Sequence, residues 1–573
     1  MRGAPPLGAL VAVALAAVAL AAVAAPPSLA QADRCEPTAT ALLDNAGVRA
    51  ELHNTGGLFW RGRGATYEVP KDGGLDAIFT ANLWVAGQRE GVGLYAMSTY
   101  GPWEFWPGPL DADGEPPADC AAYDRIWRVT LADVAAYNAT GEATPDLAEW
   151  PAHAGAPVVD GDGDPDTYDL AAGDRPAILG DETAWWVMND DGWRGPAFQT
   201  HGWSLSPEPV QIEVQATAFT ISRDYAEGRL GLSRRDAGYL HHATAYRYRL
   251  TYRGDAPLEN AYVGLFVDPD LGDFSDDYVG SHPQGDLAFA YNADNLDRRE
   301  NVGYGESPPA LGVRVIDGPA DKPLGGMAYF TPFGSAFPES DGDEAYLYLQ
   351  GFWADGTPLR RGNDGYNTDG ERTTYAFSDL PPSYWSEPNL NGEGRSNTPG
   401  DRRMVLSHGP FSLQPGESAE VSFAIPWARS ERGHYASVYE LVTFASPLVG
   451  GIVRTIGPDP ELATITPDRL PVAVDPVPPA PEAPARYALS AAARPSPAAT
   501  VATVRFDLPE AATVRLAVSD ALGREVAVPA AGPREAGEHT VALDVSGWAP
   551  GLYVYRLTVA GGPAGTGRLT VAR

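Results

Sequence analysis

Asp160-Gly161-Asp162-Gly163-Asp164-Pro165-Asp166 puts four carboxylates at alternate positions of a glycine-rich stretch. In a tight loop, side chains so spaced can turn their oxygens onto one hard cation, and Ca²⁺ takes oxygen ligands at ~2.3–2.6 Å. Without a cation the four charges repel one another. Asp169 stands where it can complete the shell. The stretch is not an EF-hand, because Pro165 and Ala171 occupy the positions at which that loop needs Gly and Glu. The alternative to a calcium loop is a solvated acidic turn.

A second acidic set, Asp268, Asp270, Asp273, Asp276 and Asp277, follows an expected strand. Asp268, Asp270 and Asp273 are the candidate ligands there; a carboxylate acid/base pair and a plain turn are the other readings. Glu339 to Glu344 and Asn363-Asp364-Gly365 repeat the signal more weakly. Trp103-Glu104-Phe105-Trp106 and Trp185-Trp186 suit either a sugar-stacking platform or core packing. Catalytic motifs do not stand out: there is no HExxH, no G-x-S-x-G and no P-loop, so no catalytic residue is assigned. The pair His241-His242 is expected on a strand with its rings diverging, and Ser407-His408 reads as structural.

The elements that must position these acids are mostly strands. Tyr246, Tyr248, Leu250 and Tyr252 alternate with Arg247, Arg249, Thr251 and Arg253, the period-2 pattern of a half-buried strand. Residues 211–222, 262–267, 345–352 and 420–427 are further expected strands. One helix is expected from about His434 to Ala445, ended by Pro447 and Gly450-Gly451.

The chain has 573 residues and a formal charge of −34, with 75 acids against 41 bases and a pI near 4.5. Such a surface repels nucleic acid and anionic membranes and favours cation binding. Lys71 and Lys322 are its lysines. A basic start at Arg2, an Ala/Val-rich run and Ser28-Leu29-Ala30 compose a secretory leader over 1–30, and no later segment is expected to span a membrane. In an oxidising compartment Cys35 and Cys120 can form a disulfide.

Residues 31–456 then form a β-rich extracellular part, and 457–485, with nine prolines, an extended linker. Residues 486–573 hold nine arginines against seven acids, about +2, which leaves about −36 for the rest. Surfaces so different indicate separate domains. The expected fold class is mainly β: a large ectodomain, then a small immunoglobulin-like β-sandwich.

In that last part Leu508-Pro509-Glu510, Asp520-Ala521-Leu522-Gly523-Arg524-Glu525-Val526, Ala536 to Val541 and Pro550-Gly551-Leu552-Tyr553-Val554-Tyr555-Arg556-Leu557 follow one another between short strands. This order resembles the C-terminal sorting domain of type IX secretion substrates. That family usually opens with an Asn-Pro pair, where this chain has Arg494-Pro495-Ser496-Pro497. The immunoglobulin-like domain of flagellar hook-capping proteins is a second likeness, disfavoured by the leader. The first resemblance implies the type IX machinery as partner, and a secreted or outer-membrane-surface location. Segments such as Leu83 to Gly87 and Trp185 to Asp190 look like the large ectodomains that precede such sorting domains, which implies a context and no activity. The Asp160 stretch is nearest in kind to the calcium loops of dockerins and thrombospondin repeats.

Two functions remain from the sequence. One is a calcium-stabilised structural, adhesive or binding protein with a cell-surface or glycan ligand. The other is a secreted hydrolase, with glycan as the first substrate class, using paired carboxylates. The oligomeric state is not legible.

Overall fold

The computed structural model describes residues 37–60, 66–97, 100, 105–164, 167–191, 208–298, 302–320, 323–330, 342–366, 368–389, 396–459, 488–489, 498, 500–508, 512–520, 524–534, 537–549, 551–559 and 562–572. The leader, most of the linker, Cys35, Asp166, Pro509, Glu510 and Gly523 lie outside these. The chain divides into two compact units, Met1–Arg469 and Leu470–Arg573.

The larger unit is built on two antiparallel sheets that share one core. The first runs in the order Thr40–Leu43, Arg49–His53, Gly57–Leu58, Thr80–Arg89, Leu258–Asp268, Arg402–Leu413, Pro323–Phe330. The second runs Asp277–His282, Leu287–Asn292, Ala310–Asp317, Ser418–Ile425, Thr244–Tyr252, Ile212–Thr220, Glu182–Asn189, Trp106–Pro107. Alternation dictates this pairing. Tyr246, Tyr248 and Leu250 turn inward opposite Ala218, Ala216 and Val214 on one side, and Tyr246 and Tyr248 oppose Phe423 and Val421 on the other. Arg249 between them is exposed. A one-residue slip would send those rings to the outer face, so the register is strongly fixed.

Helices cover the outer faces. Residues 345–352, expected as a strand, lie largely in helix Gly342–Leu349, which buries Ala345, Tyr346, Tyr348 and Leu349 against Trp84 and Phe266. Asp343 and Glu344 in its first turn favour the positive end of the helix dipole, a start signal hidden in the acidic run. The helix at His434 does not stop at Ala445. It passes through a π turn, Leu441–Ala445, into Ser446–Thr455. Pro447 sits in the first turn of this last segment, where the missing amide is tolerated. The whole run, His434–Thr455, is long and apolar enough to cross a membrane, with hydropathy 1.4, which corrects the sequence expectation. Half of it is buried, and Val438, Leu441, Ala445, Val449 and Val453 pack on the second sheet's outer face.

The smaller unit is a two-sheet sandwich with its own core. Among the described residues, Ala488–Leu489, Val501–Leu508 and Gly537–Asp544 form one sheet, and Glu525–Arg534, Ala512–Asp520, Gly551–Val559 and Gly562–Val571 the other. Val504, Phe506, Leu516, Val518, Leu543, Tyr555 and Leu557 fill the space between them. Tyr553 donates its hydroxyl to the carbonyl of Ala549 at 2.9 Å, pinning the turn that precedes its strand.

Candidate metal centres

The acidic loop after strand Val158–Val159 folds onto its own backbone. Asp160 Oδ1 accepts from the amides of Asp162 (3.0 Å) and Gly163 (2.6 Å), and Asp162 Oδ1 from that of Asp164 (2.9 Å). Gly163 has φ +92°, a conformation L residues rarely adopt. A side chain at Gly161 would meet the Gly173 backbone at 2.4 Å. This close approach brings in a residue that sequence spacing missed: Asp174, fully buried, accepts from the amides of Gly161 (2.9 Å) and Asp169 (2.7 Å). Asp160, Asp162 and Asp174 each offer an oxygen within 4.8 Å of the others, so they have the geometry to hold a cation. Asp164 and Asp169 are not in that group; Asp169 Oδ1 instead caps the turn at Ala171 (2.8 Å) and Ala172 (3.1 Å).

The second group forms where two neighbouring strands share an end. Val267 pairs with Met404, so Asp268, closing Leu258–Asp268, lies beside the start of Arg402–Leu413. Asp268, Asp270 and Asp401 gather there within the same 4.8 Å limit. Asp268 is buried; Tyr100 donates to its Oδ2 at 2.8 Å and the Arg403 guanidinium lies 3.1 Å from its Oδ1. Arg403 also pairs with Asp401. Burial pushes the Asp268 carboxyl well above the usual carboxylate range, Arg403 opposes that, and Asp270 and Asp401 reinforce it. Asp273 is not a member; its Oδ1 accepts from Ser275, through the amide at 3.1 Å and the hydroxyl at 2.7 Å. Behind the group Arg402 and Glu387 form a buried ion pair at 2.9 Å, with further bonds to Glu387 from Val279 (2.8 Å) and Asn397 (3.1 Å).

The other sequence candidates fall elsewhere. Trp185 and Trp186 are buried, on strand Glu182–Asn189, which is covered on both faces. Phe105 and Trp106 are buried too, so none of these four offers a sugar platform; Trp103 and Glu104 lie outside the described residues. His241 ends helix Arg234–His241 and His242 caps it, so the pair sits on a helix end and not a strand. Ser407 donates to the Leu349 carbonyl at 2.7 Å, and His408 Nδ1 accepts from the Ala320 amide at 3.0 Å, both structural. Cys120 is disulfide-bonded.

A cleft of about 640 Å³ lies at Asn45, Asp181, Ser222, Asp224, Tyr225 and Arg229, with no Trp in its lining. Asp181 in it is engaged by the Ser222 amide (2.7 Å) and the Asn45 side chain (2.8 Å).

In the smaller unit Leu508 and Asp520 end strands and Glu525 and Gly551 begin them. Tyr553 and Tyr555 are buried, while Arg524 and Arg556 are exposed.

No family model matches the chain, and no curated protein does. Among solved structures a polysaccharide lyase aligns at 11% identity over 64% of this chain, with a TM-score of 0.18. The alignment spans 36% of that protein's length, and at this score it bears on neither fold nor activity.

Proposed function

We propose that this is an exported bacterial protein, carried to the cell surface or beyond by its C-terminal domain through the type IX machinery. On this reading the larger unit is a calcium-stabilised scaffold with a structural, adhesive or ligand-binding role. The observation that carries the export reading is the separate C-terminal sandwich, whose strand ends coincide with the residues that resemble a sorting domain. Arg524 and Arg556, both exposed, are groups that a receptor can read. Calcium rests on Asp160, Asp162 and Asp174, an all-oxygen set suited to a hard cation.

Expression in a host with type IX machinery tests the route. Removal of residues 486–573 should strand the protein in the periplasm, whereas surface arrival unchanged by that truncation refutes the reading. Calcium at a hundredfold excess over its Kd stabilises by about 2.7 kcal/mol. The full chain should therefore melt several degrees higher in calcium than in EDTA, and equal midpoints sink the calcium assignment.

A further inference from the structure

Pro447 has no amide to give the Thr443 carbonyl, and the helix answers with the π turn Leu441–Ala445, after which the Ser446 amide donates to the Leu441 carbonyl, i to i+5. On a regular α-helix Tyr439 and Phe444, five residues apart, would point about 140° away from each other. The π turn instead sets them side by side, edge to face, with ring centroids 6.1 Å apart. Val438, Leu441, Val442 and Ala445 stay buried on the sheet side, so both rings face outward. Tyr439 is 50% exposed and Phe444 39%, whereas Trp84, Trp185, Trp186 and Trp385 are fully buried. Arg235, from helix Arg234–His241, lies 4.5 Å over the Phe444 ring and donates to Glu440 Oε1 at 3.2 Å. The Tyr239 hydroxyl donates to the same oxygen at 2.6 Å. Among the described residues no group bonds Glu440 Oε2, which is open to a ligand.

An occupant of this face must cover two rings and still serve the ion pair beside them. A purely apolar partner would strip water from Arg235 and Glu440 and return no hydrogen bond. The −34 charge of the chain turns away nucleic acid and other polyanions. A sugar ring meets both demands: its C–H face lies against aromatic rings, and its hydroxyls donate to a carboxylate and accept from a guanidinium. We propose that Tyr439, Phe444, Arg235 and Glu440 bind a neutral glycan, the two rings stacking on it and the ion pair holding its hydroxyls. A π turn at such a place fits a pattern, since these turns are frequent at functional sites. The site gives a ligand class to the ligand-binding role read above for the larger unit and rests on that reading, and it shares no residue with either metal centre.

The probes are immobilised neutral oligosaccharides of glucose, galactose, mannose and xylose, offered to the labelled full chain. Wild type should be retained on at least one of them. Tyr439→Ala and Phe444→Ala should each lower that affinity at least tenfold, while Tyr439→Phe, which keeps the ring, should hold it within about threefold. Glu440→Gln, which weakens the acceptor, should fall between these. Should Phe444→Ala not fold, Tyr439→Ala decides, since that ring is the more exposed of the two. Absence of retention on all four overturns the proposal, and so does retention that Tyr439→Ala leaves unchanged. Self-association that Tyr439→Ala abolishes, in a chain that no glycan retains, also overturns it and makes a second copy the occupant. Asp162→Asn should leave retention intact. Equal melting in calcium and EDTA, or surface arrival without residues 486–573, defeats the readings above and not this one; lost retention with both of those results as expected defeats this one alone.

Discussion

The two acidic regions of the larger unit solve one electrostatic problem in opposite ways. Around Asp160 the charges face water: Asp160 and Asp162 are exposed, and backbone amides of the same loop hold their oxygens. Around Asp268 that one carboxylate is taken out of water, while Asp270 and Asp401 stay half-buried, and the fold brings in Arg403 and Tyr100 to meet it. The first region has the denser sequence signal and the smaller stake in folding. The second is dispersed in sequence and coupled to the core. Density of aspartate along the chain therefore does not rank such regions; the environment of each carboxylate does.

The largest way to break this contrast is to remove Glu387. Glu387→Leu leaves Arg402 buried without its partner, a change that costs about 3–5 kcal/mol, whereas replacing both members of such a pair is often close to neutral. Urea unfolding of the larger unit should show that loss, with substantial recovery in the Glu387→Leu, Arg402→Met double variant. A loss under 1 kcal/mol would mean that the buried region is not coupled to folding.

How much was legible follows from the same distinction. Strand Thr244–Tyr252 could be read because one of its faces is buried and the other is not, and Ile212–Thr220 and Ser418–Ile425 were legible for related reasons. Helix Gly342–Leu349 reads as a strand because a short apolar run has no decisive period, and its acidic first turn reads as a weak metal loop. Trp185 and Trp186 alternate between faces that are both covered, which no local pattern reveals. Asp160 and Asp162 were found because their grouping is local. Asp174 and Asp401 were missed because a Gly–Gly approach in one case, and the register Val267 with Met404 in the other, join parts of the chain that spacing cannot relate.

Acidity separates the regions further, once a second buried group is allowed for. Asp276 is pushed up to about 7, by burial first and then by Asp297, Asp273 and Asp294. A carboxyl so held stabilises the fold fully below its unfolded value near 4 and loses that contribution as pH rises through about 7. His242 runs the other way. Burial first, then His241 and Arg223, push it down to about 4, so its contribution is whole above ~6.5 and is lost as pH falls toward 4. Between pH 7 and pH 5 the two effects therefore oppose one another, and solvent screening weakens that of the half-exposed Asp276. Measured in EDTA as the difference from wild type, His242→Phe, which keeps a ring against Trp427, should gain stability on acidification, and Asp276→Asn should lose it. If both variants stay flat, burial has not shifted these groups in the way described.

The smallest expected effect on stability lies in the exposed loop, at Gly161. A Cβ there meets the Gly173 carbonyl carbon and oxygen at 2.4 Å, and backbone cannot step aside as a flexible side chain can. Gly161→Ala should push Gly173 and Asp174 away from Asp160 and Asp162, opening the three-oxygen group. Because two of the three acids are solvated, the fold should lose only about 1 kcal/mol in EDTA, at the low end for overpacking. The calcium-dependent part of the melting temperature should shrink far more, since affinity depends on all three oxygens converging. That split between a small apo effect and a large ion effect is the signature of a loop that binds without supporting the core. An apo loss as large as that of Glu387→Leu would place the Asp160 loop, like the Asp268 group, among the elements on which folding depends.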